Sequence, residues 1–175
     1  MFGLNRKKKQ AAEAAVDTAA APSAPTGEQI TAPVRGALVP LDQVPDPVFA
    51  GGLMGPGFAV DPADGRIHAP VAGTIVTVPE TRHAVGMRTA GGVELLIHVG
   101  VDTVKLKGEG FTAHCAEGDQ VEAGAVLLEV NLDAVGGKVP SLLTPVIVTN
   151  ADGLEVSPAD LSAEFGQPVL SVSIP

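Results

Sequence analysis

The chain has 175 residues, 45% of them hydrophobic, so a core can form and wholesale disorder is excluded. Gly 21 and Pro 15 favour short strands and tight turns over long helices, and the lack of Trp and Tyr argues against a base-stacking nucleic-acid binder. The formal charge is −9, and because Arg6, Lys7, Lys8 and Lys9 sit together near the start, the body is more acidic still; no nucleic-acid partner is expected, and the single Cys115 excludes an internal disulfide.

Arg6 to Lys9 followed by Ala-rich sequence imitates the start of a secretory signal, but Glu13 and Asp17 interrupt the apolar run. No window approaches the ~18 apolar residues of a membrane span, so a cytoplasmic protein is expected. Residues 1–27 read as a disordered basic tail and an Ala/Pro-rich linker. Phe2 and Leu4 beside four cations offer at most weak membrane contact.

Residues 28–175 read as one domain. Within it Ala32-Pro33-Val34-Arg35-Gly36-Ala37-Leu38-Val39 is echoed by Ala69-Pro70-Val71-Ala72-Gly73-Thr74-Ile75-Val76, which suggests a duplicated β unit. Further strands are predicted at Gly57–Val60, Ala84–Thr89, Val93–Val99, Thr103–Lys107, Val126–Asn131, Leu143–Thr149 and Val169–Ile174, with a small hairpin around Val121. Ser157-Pro158-Ala159-Asp160 predicts a short helix near the C-terminus, stopped at Gly166. The expected fold is all-β: an antiparallel β-sandwich or flattened barrel with that one helix.

The most informative stretch runs from Glu80 to Asp102. Ala90-Gly91-Gly92 separates two strand-like runs, which predicts a hairpin. A two-residue turn pairs Thr89 with Gly92 and sets His83 directly opposite His98; a longer turn makes them diagonal neighbours. Side chains alternate along the second strand, so Leu95, Ile97 and Val99 face the core while Glu94, Leu96 and His98 face outward. Paired imidazoles on one face suit either metal binding or passage of a phosphoryl group.

Glu80-Thr81-Arg82-His83-Ala84, Gly92 through Val104, and Leu106-Lys107-Gly108-Glu109-Gly110-Phe111 closely resemble the glucose-type IIA component of the bacterial phosphoenolpyruvate-dependent sugar phosphotransferase system. Val44 through Ala50 and Leu143-Thr144-Pro145-Val146 extend the match, which covers about residues 30–150. The resemblance implies a β-sandwich of the duplicated hybrid type. It implies a phosphotransferase component that takes phosphate from phospho-HPr and gives it to a IIB domain of a membrane sugar permease, with no cofactor and no metal. On this chain it implies that His98 is phosphorylated, that His83 hydrogen-bonds the phosphoryl group, that Thr81 orients His83, and that Asp102 is an acidic neighbour. The docking surface it implies is Val48, Phe49, Leu53, Met54, Leu96 and Val104. Pro79 and Leu96 stand where the family often has aromatics, which bears on partner choice rather than chemistry.

Two other readings compete. His98-x-x-x-Asp102 has the spacing used by lysostaphin-type zinc endopeptidases, but those also use His-x-His, which is absent here. Residues 69–75 and 118–124 look like biotinyl or lipoyl carrier segments; Val104-Lys105-Leu106-Lys107, however, matches neither modified-lysine context.

Overall fold

Runs of Val, Ile, Leu and Thr bounded by Gly, Pro or Asp become short strands in the computed structural model, which describes residues 27–175. The basic tail and nearly all of the expected linker lie outside the described residues. Seven strands form the large sheet, in the order β2 (Gly36–Val39), β3 (Gly57–Pro62), β11 (Thr144–Val148), β7 (Glu94–His98), β6 (Ala84–Arg88), β5 (Gly73–Thr77) and β9 (Gln120–Val121). A smaller sheet joins β1 (Glu28–Thr31), β13 (Pro168–Ser173) and β12 (Glu155–Val156); another joins β4 (Arg66–His68), β10 (Val126–Val130) and β8 (Phe111–Ala113). All of these pairings are antiparallel.

One continuous core fills the space between the layers. Phe58, Ile75, Val85, Met87, Leu95, Ile97 and Val146 from the large sheet pack with Ile30, Leu170 and Val172 from one small sheet and Ile67 and Leu128 from the other. The result is a sandwich with no closed barrel. Each fully buried Val, Leu, Ile or Phe contributes roughly 1.5–3 kcal/mol relative to exposure.

The duplication is visible in the pairing. From one edge the large sheet reads β2, β3, β11; coming inward from β5 it reads β5, β6, β7, so β11 and β7 meet at the middle. Thr31 N–H donates to the Pro70 carbonyl at 3.0 Å, and His68 N–H donates to the Pro33 carbonyl at 2.6 Å. These two bonds exchange equivalent positions of the repeated segments. Glycine is needed at the start of both β2 and β5, because a Cβ on Gly36 would meet Asp61 O at 1.9 Å and one on Gly73 would meet Arg88 O at 2.5 Å.

Three local expectations are corrected. The helix after Ser157 does not form: residues 157–167 are turns and irregular chain. Ser157 is instead tied to β13, its N–H donating to Ser171 O and its hydroxyl accepting from Ser171 N, both at 2.9 Å, while Asp160 N–H donates to Val169 O. Tertiary pairing overrides a good local cap. Thr103–Leu106 is a 3-10 helix rather than a strand, flanked by left-handed Asp102 (φ 59°) and Lys107 (φ 54°). Gln120–Val121 adds to the edge of β5 instead of folding on itself as a hairpin. The described helices are α1 (Pro47–Ala50), α2 (Leu132–Gly136) and two 3-10 segments, Leu41–Gln43 and Thr103–Leu106. No described helix is long and apolar enough to cross a membrane.

Candidate functional site

The β6–β7 hairpin closes through three residues, Ala90 to Gly92, with Thr89 N–H donating to Val93 O at 2.9 Å and Gly92 N–H donating to Thr89 O at 3.0 Å. The register therefore pairs Ala84, not His83, with His98. Alternation along β7 is as expected: Leu95, Ile97 and Val99 are buried, whereas Glu94, Leu96 and His98 are only partly so. His83 precedes β6 and follows Arg82, whose backbone is left-handed (φ 52°). Freed from strand alternation, its ring reaches the outer face and stands edge-on to His98, with centroids 4.9 Å apart at 78°.

Both rings are anchored at Nδ1. His98 Nδ1 lies 2.8 Å from the Gly100 carbonyl, which can only accept, so Nδ1 carries the proton and Nε2 holds the lone pair. Gly100 adopts φ 71°, and a Cβ there would meet Thr103 Cγ2 at 2.7 Å and Ser141 O at 3.0 Å. The buried Thr103 hydroxyl donates to Val99 O at 2.6 Å and fixes the turn that presents the Gly100 carbonyl. Thr81 Oγ1 lies 2.6 Å from His83 Nδ1. When that hydroxyl donates, the His83 proton resides on Nε2 and becomes available to an anion.

α1 supplies the third side. Asp46 caps it, its carboxylate accepting from Val48 N at 2.9 Å, and Pro47 occupies the first turn. The helix packs into a satellite core with Val44, Ala59, Val101 and Ile147. Phe49 thereby comes to 5.0 Å from His98, ring to ring, at 53°.

Burial lowers the pKa of His98 from its ordinary value, opposed by the Gly100 carbonyl and by the Asp46 carboxylate. His83 is lowered by burial first and by the positive charge of His98 second. Near pH 7 both rings are therefore neutral, and His98 Nε2 carries a free lone pair.

The structure thus brings His98, His83 and Thr81 together. Asp102 is exposed and its carboxylate faces Lys105 Nζ at 3.4 Å; the carboxylate that acts on His98 is that of Asp46. Val48, Leu53, Met54 and Val104 are exposed apolar residues, Phe49 is buried, and half-buried Leu96 lies between Gly86 and Ile147 in the sheet. An apolar groove of about 280 Å³ continues from Leu96 to Met54 and Val76. Sequence reasoning missed Asp46, Gly100 and Thr103. The Asp-Pro cap of α1 was legible locally, but nothing local announces that it faces His98.

Residues 28–154 match the family described as phosphoenolpyruvate-dependent sugar phosphotransferase system, EIIA 1. The chain is 51% identical over 156 residues to the PTS system glucose-specific EIIA component of Halalkalibacterium halodurans, covering 89% of this chain and 84% of that one. It is 46% identical to part of the PTS system glucose-specific EIICBA component of Staphylococcus saprophyticus, covering 75% of this chain and 20% of that longer one. Among solved structures, glucose permease IIA from Mycoplasma capricolum superposes with a TM-score of 0.78 at 40% identity, covering 81% of this chain and 93% of that chain.

Proposed function

The chain belongs to the phosphoenolpyruvate-dependent sugar phosphotransferase system EIIA 1 family, and from that premise we propose that His98 is the residue through which it works as a phosphocarrier. The supporting observation is the bond from His98 Nδ1 to the Gly100 carbonyl, which leaves Nε2 as the one unprotonated ring nitrogen. Nε2 attacks the phosphorus of phospho-HPr in line, the phosphorus–nitrogen bond to the donor histidine breaks, and a phosphohistidine results. The reverse geometry then delivers the phosphoryl group to a IIB domain. Such transfer needs positioning, charge stabilisation and exclusion of water more than covalent help from the protein.

His83 donates a hydrogen bond to the phosphoryl oxygens, and Thr81 holds it in the tautomer able to do so. Asp46 sits near the ring at the mouth of the site and Asp102 on its rim, where basic partner surfaces are recognised. The apolar surface of Val48, Phe49, Leu53, Met54, Leu96 and Val104 closes against each partner in turn and dries the reaction. The active unit is residues 28–175, acting in the cytoplasm, and its relatives point to glucose or a related sugar.

The test is reconstitution with phosphoenolpyruvate, enzyme I and HPr, followed by mapping of acid-labile phosphate. His98→Ala is expected to accept none while keeping its circular dichroism spectrum. A folded variant that labels at the normal rate overturns the assignment.

A further inference from the structure

A second histidine is built like the first but belongs to the other side of the sandwich. His68 ends β4, in the sheet with β10 and β8, not in the sheet that carries His98. Its Nδ1 lies 2.9 Å from the Gly124 carbonyl, an acceptor only, so in the neutral ring Nδ1 carries the proton and Nε2 the lone pair. The ring meets Phe165 at 5.4 Å between centroids and 63°. Arg35 lies 4.5 Å over the same Phe165 ring and holds it in place.

His68, Gly124 and Phe165 border a recess of about 200 Å³ at the seam between the two duplicated segments. Thr31 and Ala32 come from one copy, His68 and Ala69 from the other, and Phe165 lies across them. Among the lining residues only Thr31 and His68 have polar side chains. The Thr31 hydroxyl spends its proton on Pro70 O at 3.0 Å, so it too is left as an acceptor. The backbone N–H groups of Thr31, His68, Ala69 and Gly124 are all bonded within the fold. The side chains of this recess therefore offer apolar surface and hydrogen-bond acceptors, and no donor.

We propose that the recess is a binding site for a small, mainly apolar molecule that carries one hydrogen-bond donor, a hydroxyl or an N–H, which it gives to His68 Nε2. Thr31 and the neutral His68 ring have no side-chain proton to offer an anion there. A purely apolar molecule fills the space but leaves the acceptors unpaired. The recess is smaller than a typical drug-sized site, so the ligand is fragment-sized. This proposal is independent of the phosphocarrier reading, since it uses neither His98 nor His83.

Phenol is the probe, with benzene and benzoate as comparisons, and the measurement is a two-dimensional NMR titration of the full chain that also follows the His68 ring nitrogens. The expected result is saturable perturbation confined to residues around His68, Gly124 and Phe165, with the Nε2 signal moving most. Benzene is expected to bind about 2- to 10-fold more weakly, the worth of one neutral hydrogen bond, and benzoate more weakly than phenol. His68→Leu, whose unchanged spectrum elsewhere shows it to be folded, is expected to bind phenol with the same loss while still binding benzene. No saturable perturbation means that the recess holds only water, and overturns the proposal. So does equal binding of phenol by wild type and folded His68→Leu, or tighter binding of benzoate than of phenol.

Discussion

The imidazoles of His83 and His98 stand edge to face with centroids 4.9 Å apart, although the residue opposite His98 in the ladder is Ala84. One ring is set by its strand and the other by the left-handed residue before it. They are consequently anchored by different partners, Gly100 O for His98 and Thr81 Oγ1 for His83, and substitutions can separate their roles.

His83→Gln is expected to leave acceptance of phosphate from HPr intact, because Nε2 of His98 needs no help from its neighbour to attack. Donation should suffer. Hydrogen bonds to charged groups contribute about 1.5–3 kcal/mol, and loss of that amount in the outgoing transition state slows transfer roughly 10- to 200-fold. A single-turnover chase of the labelled variant with a IIB domain measures this; donation at the wild-type rate removes His83 from the mechanism.

Thr81→Val deletes the 2.6 Å contact to His83 Nδ1 but leaves both rings. A neutral hydrogen bond contributes about 0.5–1.5 kcal/mol, so donation is expected to fall about 2- to 10-fold, with Thr81→Ser restoring it. The accompanying readout is the tautomer of His83 by ¹⁵N NMR, which should shift away from Nε2–H in the valine variant alone. An unchanged tautomer contradicts the positioning role.

Both histidines have lowered pKa values, burial being the larger cause in each. Ring titrations followed by NMR should have midpoints below the ordinary value of about 6.5. The unfolded chain then binds protons that the folded chain does not. Stability from this source is complete above about pH 6.5, declines as pH falls towards the folded values, and levels off below them. Urea unfolding between pH 8 and pH 5 should show the decline, and it should be smaller in a His83→Gln, His98→Gln double variant. Midpoints at or above 6.5 contradict the sign.

Leu53, just past the end of α1, is 78% exposed, so Leu53→Asp costs the fold little: the melting temperature should hold within the effect of about 0.5 kcal/mol typical of surface changes. Transfer from HPr should weaken about tenfold, about 1.4 kcal/mol, through a raised KM. Unchanged kinetics with both partners places Leu53 outside the docking surface.

Much of this was legible in sequence because one face of β7 is buried and the other is not. Burial alternates from Glu94 to Val99, and in the sequence Glu94 and His98, four residues apart, mark the outward face despite apolar Leu96 between them. The register was not legible: Ala90-Gly91-Gly92 supports turns of two or three residues, and the choice moves every cross-strand partner by one. Nor does any local signal say that Arg82 adopts positive φ, or that Asp46, more than fifty residues before His98, comes to face it. Ser157 shows the opposite failure. Its cap signature is sound by local rules, and pairing with Ser171 overrules it.

The pairing of β1 with β13 joins residues 28–31 to residues 168–173. As the chain leaves the ribosome, β1 emerges well before β13, its one strand partner among the described residues. Until then Ile30, fully buried in the finished protein, has nothing to pack against on that side, and the unpaired strand is open to pairing with other chains. Closing so long a loop is slow because its entropy is lost before any contact compensates. The histidine hairpin, by contrast, joins neighbours in sequence and can zip without waiting for the ends. The same long-range pairing makes β13 a clasp: cutting the chain before residue 168 would uncover Ile30 and leave β1 without its strand partner, however intact the hairpin remained.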